Sequence, residues 1–129
     1  MNRVKGAALA GMVVALAGCA SNAASIVGGP PKVVGGLAGT QIGRSLDTGD
    51  RGRAQAAEYR VLEFGLAGAT TPWSDSVTRR YGEVVPGAAY RVNDMTCREY
   101  VHTIVADGRS ETGRASACRS ADGSWRVAG

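Results

Sequence analysis

The sequence predicts an α+β protein. An N-terminal glycine-rich and helical segment is followed by a small antiparallel β meander stapled by one disulfide. Three observations carry this expectation. No aromatic residue occurs before Tyr59, so core-forming capacity is concentrated in the second half of the chain. A proline-free run of good helix formers spans Arg51 to Phe64. From Thr70 onward, aromatic and β-branched residues are punctuated by the turn pairs Pro86-Gly87, Asn93-Asp94, Asp107-Gly108 and Asp122-Gly123.

The chain has 129 residues, 44% of them apolar and 5% aromatic, which bounds it to one small domain with attachments and excludes a large enzyme core. The 19 glycines follow no three-residue period, so a collagen is excluded. No stretch reaches the roughly 18 consecutive apolar residues of a spanning helix, which excludes a multi-pass membrane protein.

Elements follow in chain order. Arg3 and Lys5 precede an apolar run, Ala7 to Ala17, that fits the n- and h-regions of a secretory signal. The run closes on Leu16-Ala17-Gly18-Cys19, which looks like a bacterial lipobox. Residues 1–18 then read as a lipoprotein signal peptide. Cys19 becomes the lipidated N-terminus, carrying diacylglycerol and palmitate-type chains. The alternative is an ordinary signal peptide cut after Ala23. Each buried acyl methylene contributes about 0.8 kcal/mol, so several chains hold a protein firmly on a membrane. Residues 19–32 form a linker, interrupted by Pro30-Pro31.

Residues 33–47 form the glycine-rich segment. Gly35, Gly39 and Gly43 are four apart and would share one helical face, a glycine zipper suited to close backbone approach. The eleven residues from Val33 to Gly43 would span roughly 16 Å as a helix, about half a bilayer core. Self-association, or an interfacial position near the anchor, is therefore expected rather than a membrane span. Residues 48–66 read as a polar amphipathic helix. Ala54, Ala57, Val61 and Leu62 recur at helical spacing, and Arg51, Arg53, Glu58, Arg60 and Glu63 fill a solvated face. Gly65 and Gly68 end it.

Residues 70–129 form the β domain. Strands are expected near Val77 to Tyr81, Ala89 to Val92, Cys97 to Val105, Glu111 to Arg119 and Ser124 to Val127. Asp107-Gly108 is a favoured two-residue hairpin turn. It pairs Ala106 with Arg109, so every partner pair must add to the same total. Cys97 and Cys118 satisfy that condition and fall on a non-hydrogen-bonded site, where side chains lie closest. A disulfide follows, in the oxidising compartment that secretion supplies. The same register sets Tyr100 opposite Ala115 and His102 opposite Gly113, with Ile104 on the same face. Trp73, Tyr81, Tyr90 and Trp125 are expected to complete the core.

No catalytic, cofactor or metal site is expected. His102 is the only histidine, and the two domain cysteines are engaged with each other. A four-ligand zinc site lacks partners, and no phosphate-binding loop is present. Glu83, Glu99 and Glu111 have no spacing that joins them. Arg98 and Arg119 are expected to pair with nearby acids. The net charge of +4 includes Arg3 and Lys5, and the remaining charges alternate in sign. Without a clustered basic face, nucleic-acid binding is excluded.

The motifs Asn93-Asp94-Met95-Thr96-Cys97-Arg98-Glu99-Tyr100, Asp107-Gly108-Arg109, Ala117-Cys118-Arg119 and Asp122-Gly123-Ser124-Trp125 resemble the C-terminal domain of the 17 kDa surface-antigen lipoprotein family. Arg80 to Gly87, and Ser45-Leu46-Asp47 with Asp50-Arg51, fit the same family. The likeness covers about residues 33 to 127. It implies a bacterial outer-membrane lipoprotein without established catalysis, known mainly as a surface antigen. Pro30-Pro31 departs from the longer two-legged zipper of that family. The functional expectation is a structural or interaction role in the envelope. The membrane is contacted through the lipid anchor, copies associate through the zipper, and an envelope protein is the expected partner. The alternative is a periplasmic or surface binding module or inhibitor whose sheet captures a protein or ligand. An exposed groove lined by Trp73, Tyr81 or Tyr100 would favour that alternative.

Overall fold

The computed structural model of the protein describes residues 32–128. The expected lipidation site Cys19, the signal segment and Pro30-Pro31 lie outside the described residues. The elements are β1 (Val33–Val34), two single-turn 3-10 helices (Leu37–Gly39 and Gln41–Gly43), α1 (Thr48–Phe64), β2 (Thr71–Ser74), β3 (Tyr81–Pro86), β4 (Tyr90–Val92), β5 (Met95–Ala106), β6 (Arg109–Arg119) and β7 (Trp125–Val127).

Helix α1 begins where Asp47 accepts a hydrogen bond from the Asp50 backbone N–H at 2.8 Å, capping an otherwise unsatisfied donor. It ends at Gly65, whose N–H donates to the Val61 carbonyl. Leu66, beyond that cap, is exposed. Ala54, Ala57, Val61 and Leu62 are buried as expected. Their i, i+3, i+4 stripe also contains Glu58, which is fully buried, so the solvated face excludes this residue.

The sheet has the strand order β1-β7-β6-β5-β3-β2, with β4 also paired to β5. Its spine is the β5–β6 hairpin. Asp107 and Gly108 have φ of 53° and 76°, the positive values that a type I′ turn requires. The register runs as expected from Ala106↔Arg109 to Cys97↔Cys118. The disulfide between those cysteines spans Cα atoms 4.0 Å apart.

The meander expectation needs three corrections. Val77 to Arg80 belongs to a turn rather than a strand, and Tyr81 begins β3. Asp75 accepts from the Val77 and Thr78 backbone N–H groups, and Arg79 takes a φ of 59°. This local side-chain bonding to backbone competes with strand pairing. The strands lie on either side of the turn, as the hairpin β2–β3. Second, β1 pairs with β7 in parallel, Val33 opposite Trp125, so the sheet is mixed. Third, Trp73 and Trp125 are buried, but Tyr81 and Tyr90 are 52% and 40% exposed and stay outside the core.

The expected glycine-faced helix is also corrected. Gly35, Gly39 and Gly43 share no helix face; they lie in and between short turns folded onto the sheet. Gly35 has a φ of 73°, a left-handed conformation that turns the chain out of β1. Gly43 packs so closely on the Ala38 carbonyl that a Cβ there would overlap the backbone. Gly39 faces open space. The apolar residues between them join the core: Ala38 and Leu46 are buried, and Leu37 and Ile42 pack over Gly113. The small residue opposite His102 thus makes room for the glycine-rich segment. Gly43→Ala is expected to destabilise by about 2 kcal/mol, because it forces backbone apart. Gly39→Ala should change stability by less than about 1 kcal/mol. Thermal melts of the two variants check this ordering. A zipper would make Gly39, the middle of the three, at least as sensitive as Gly43.

One core unites these parts. Val33, Ala38, Leu46, Val61, Leu62, Trp73, Val84, Tyr100, Ile104 and Trp125 form a single buried cluster between α1, the 3-10 turns and the inner sheet face. No helix among the described residues is long and apolar enough to cross a membrane.

Candidate functional site

Along β5, Arg98, Tyr100, His102, Ile104 and Ala106 are buried while the intervening residues face outward. The period-two alternation of a strand sends this set toward α1. Glu58 points back from the helix stripe, so the two periodicities meet at one point. His102 Nδ1 lies 2.7 Å from Glu58 Oε1, and both side chains are fully buried. Trp73 Nε1 donates to His102 Nε2 at 2.9 Å. Since an indole N–H can only donate, Nε2 must accept, and the imidazole proton sits on Nδ1, donated to Glu58. The backbone N–H of Ala38 donates to the same carboxylate oxygen at 2.8 Å. Tyr100 Oη donates to Glu58 Oε2 at 3.4 Å and accepts from the Leu37 N–H at 3.2 Å.

The carboxylate thus gathers donors from β5 and from the first 3-10 turn. It clamps the glycine-rich segment against helix and sheet. Gly36 belongs to the same clamp, because a Cβ there would overlap Glu58 Oε2. A carboxylate-oriented imidazole is the base half of a hydrolytic triad. Here the outer nitrogen, which a general base must present to substrate, is occupied by Trp73, and the ring is fully buried. The arrangement therefore works as a structural clamp.

Three further charged groupings are structural in the same sense. Asp50, also fully buried, accepts from Arg80 Nη1 at 3.2 Å and from Thr78 Oγ1 at 3.1 Å. Arg80 reaches on to Asp107 at the hairpin turn, so helix start and sheet end are tied together. Arg98, expected to meet an acid, instead donates to the carbonyls of Val61, Leu62, Gly65 and Gly87. A cation beside the unsatisfied carbonyls of a helix C-terminus satisfies both hydrogen bonding and the helix dipole. Arg119 does meet an acid: its Nε donates to Glu63 at 3.0 Å, and the same oxygen accepts from Trp125 Nε1 at 2.8 Å. Glu83, Glu99 and Glu111 are dispersed across the sheet, opposite Thr103, Ser116 and Ile104 respectively. Among the described residues, no group of three or more His, Cys, Asp or Glu is placed to hold a metal ion.

These contacts make stability pH-dependent at both extremes. Arg119, and then the Trp125 indole, hold the Glu63 carboxyl below its ordinary value of 4.5. The backbone N–H groups of Val77 and Thr78 do the same for Asp75, and that of Ser124 for Asp122, against an ordinary 3.8. A depressed folded-state value means the unfolded chain takes up protons first on acidification. Stability from these groups is present above pH 4.5 and declines as pH falls below it toward the folded values. Burial, then the Glu58 charge, push the Tyr100 hydroxyl above its ordinary value of 10. The unfolded tyrosine ionises first, so stability declines as pH rises past 10. Urea midpoints measured across pH should fall on both sides, and Tyr100→Phe should reduce the alkaline fall.

The outward face is open. Tyr81 lines a shallow depression there with Pro72, Glu83, Thr103 and Val105. The disulfide lies toward the far end of this face, since Cys97 and Cys118 share the outward parity of β5 and β6. Of the three aromatics that would favour a binding groove, Trp73 and Tyr100 are buried and only Tyr81 is exposed.

Comparison with known proteins agrees with the motifs along β3, β5 and β6. The family model described as 17 kDa outer membrane surface antigen matches residues 60–126. The "17 kDa surface antigen" of Rickettsia bellii is 38% identical over 88 residues, covering 67% of this chain and 55% of the relative. Its namesake in Rickettsia conorii is 35% identical over 83 residues, covering 64% and 52% respectively. That of Rickettsia felis is 34% identical over 83 residues. The chain spans about half the length of the curated relatives it matches. No solved structure matches. The matched segment contains the C-terminal end of helix α1, with Val61 and Leu62 of its buried stripe, and nearly all of the sheet, and the chain belongs to the 17 kDa outer membrane surface antigen family.

Proposed function

We propose that the protein is an outer-membrane lipoprotein with a structural or interaction role in the bacterial envelope. Cys19 carries the lipid, and residues 32–128 form the domain held at the membrane. The carrying observation is the lipobox Leu16-Ala17-Gly18-Cys19 ahead of a domain of the surface-antigen family. The engagement of both ring nitrogens of the one histidine supports a non-catalytic role. The disulfide supports an extracytoplasmic location. Fractionation of the native bacterium tests the proposal. Wild-type protein should sediment with the outer membrane and Cys19→Ala should be released from it. Wild-type protein in the soluble fraction would overturn the anchor.

A second reading, capture of a ligand or protein on the outward sheet face, draws its support from the depression beside Tyr81. Tyr81→Ala would then abolish crosslinking to a partner in intact cells without changing the melting temperature.

A further inference from the structure

The described chain enters the domain at Lys32, whose carbonyl accepts from the Trp125 N–H at 2.9 Å. Trp125 in turn donates to Glu63, in the last turn of α1. The entry point and the C-terminal end of the helix are therefore adjacent. Between them lies a groove bounded on one side by Lys32 and the edge strand β1, and on the other by α1. Its walls include Val34, Tyr59, Arg60 and Phe64. Two cations line the groove and no carboxylate does. Glu63, which precedes Phe64, is engaged by Arg119 and Trp125. Phe64 is 74% exposed, an aromatic ring left in solvent at the rim.

We propose that this groove is a membrane-docking face, with Phe64 entering the interface of the bilayer and Lys32 and Arg60 meeting anionic lipid headgroups. The proposal rests on Cys19 being the lipid anchor. Three observations select a bilayer as the occupant. First, Lys32 lies thirteen positions after Cys19. Fully extended they reach about 45 Å, little more than the diameter of the domain itself. The domain is thus confined near the surface, and Lys32 is the described residue closest to the anchor along the chain. Second, paired cations without acids complement an anionic surface. Third, an exposed aromatic ring beside cations is the composition of an interfacial contact. A strand partner is disfavoured because β1 offers only two residues for pairing.

The test uses the mature, acylated protein reconstituted in phosphatidylglycerol vesicles that contain brominated lipid. Bromine quenches indole emission on contact. Trp73 and Trp125 are buried and supply a weakly quenched background. F64W adds an indole in the groove. V77W adds one at a position that is 89% exposed and lies in the turn after β2, two residues beyond Asp75, which pairs with Arg53. The F64W emission should be quenched about twofold more strongly than that of V77W. Substituting Lys32→Glu and Arg60→Glu in F64W, or changing to phosphatidylcholine vesicles, should remove most of the difference. Vesicles that float without protein would overturn the anchor and the docking together. Floating protein in which F64W and V77W are quenched equally would overturn the docking alone.

Discussion

Glu58→Ala is expected to be the most destabilising single substitution in the domain, at about 3–5 kcal/mol, the range for removing one partner of a buried, hydrogen-bonded charge. The alanine would leave the Ala38 N–H, the His102 Nδ1–H and the Tyr100 hydroxyl without their acceptor in a dry interior. Each unsatisfied donor costs about 1–3 kcal/mol, and the cavity adds to that. Small domains have only 5–15 kcal/mol in total, so a loss of this size brings the fold close to its unfolding limit at growth temperature. Glu58→Gln keeps one acceptor oxygen and should lose roughly half as much. Urea denaturation of the three proteins gives the comparison, with a lowered midpoint at unchanged slope as the expected pattern. A loss below about 1 kcal/mol for Glu58→Ala would mean that the glycine-rich segment is held by packing alone.

The second large effect is the disulfide. Replacing Cys97 and Cys118 together by alanine should reduce stability by about 3 kcal/mol on the chain-entropy estimate for a loop of this length. The residues are 21 apart and close the open end of the β5–β6 hairpin, opposite its turn. The turn end is already fixed by Asp107-Gly108, so the bridge restrains the end that the turn leaves free. Beside the bridge, β4 adds its short pairing with Met95 to Cys97. Amide hydrogen exchange should therefore rise first in β4 and at the β4-proximal end of β5 when the bridge is absent. The combined removal of the bridge and of Glu58 should cost about 6–8 kcal/mol, enough to unfold a domain at the lower end of the usual stability range. Melting with and without reductant is the simplest check.

The hairpin register was legible because it depends on local chemistry. A two-residue turn with positive φ at both positions leaves no freedom in the pairing, and every partner follows by counting. The inward placement of Tyr100, His102 and Ile104 follows from the same parity. Other features were not legible for physical reasons that differ case by case. The pairing of β1 with β7 joins Val33 to Trp125 and leaves no local sequence signal. The hairpin β2–β3 was hidden by Pro72 and Pro86, residues that argue against strand, and by β-branched Val77 and Thr78 in its turn. The four-residue glycine spacing is shared by a helix face and by successive short turns, and only the nonlocal contact with Gly113 separates them.

Glu58 was within reach of sequence reasoning. It stands in the middle of the apolar stripe formed by Ala54, Ala57, Val61 and Leu62, where a charge must be paired to be buried. The hairpin register places His102 on the facing side of the sheet. A charged residue on a helix stripe and a lone histidine on a strand face, each costly alone, become inexpensive as a pair. Arg98 follows the same rule with a different partner, since the carbonyls ending α1 replace the expected carboxylate. In both cases the missing information is which groups of α1 face the sheet, and that is set by nonlocal packing.

The intact mass of the protein taken from the membrane fraction of its own bacterium tests the envelope role most directly. A chain beginning at Cys19 and heavier by a diacylglycerol and a further acyl group is the expected result. A chain beginning after Ala23, or one carrying an unmodified Cys19, would contradict it.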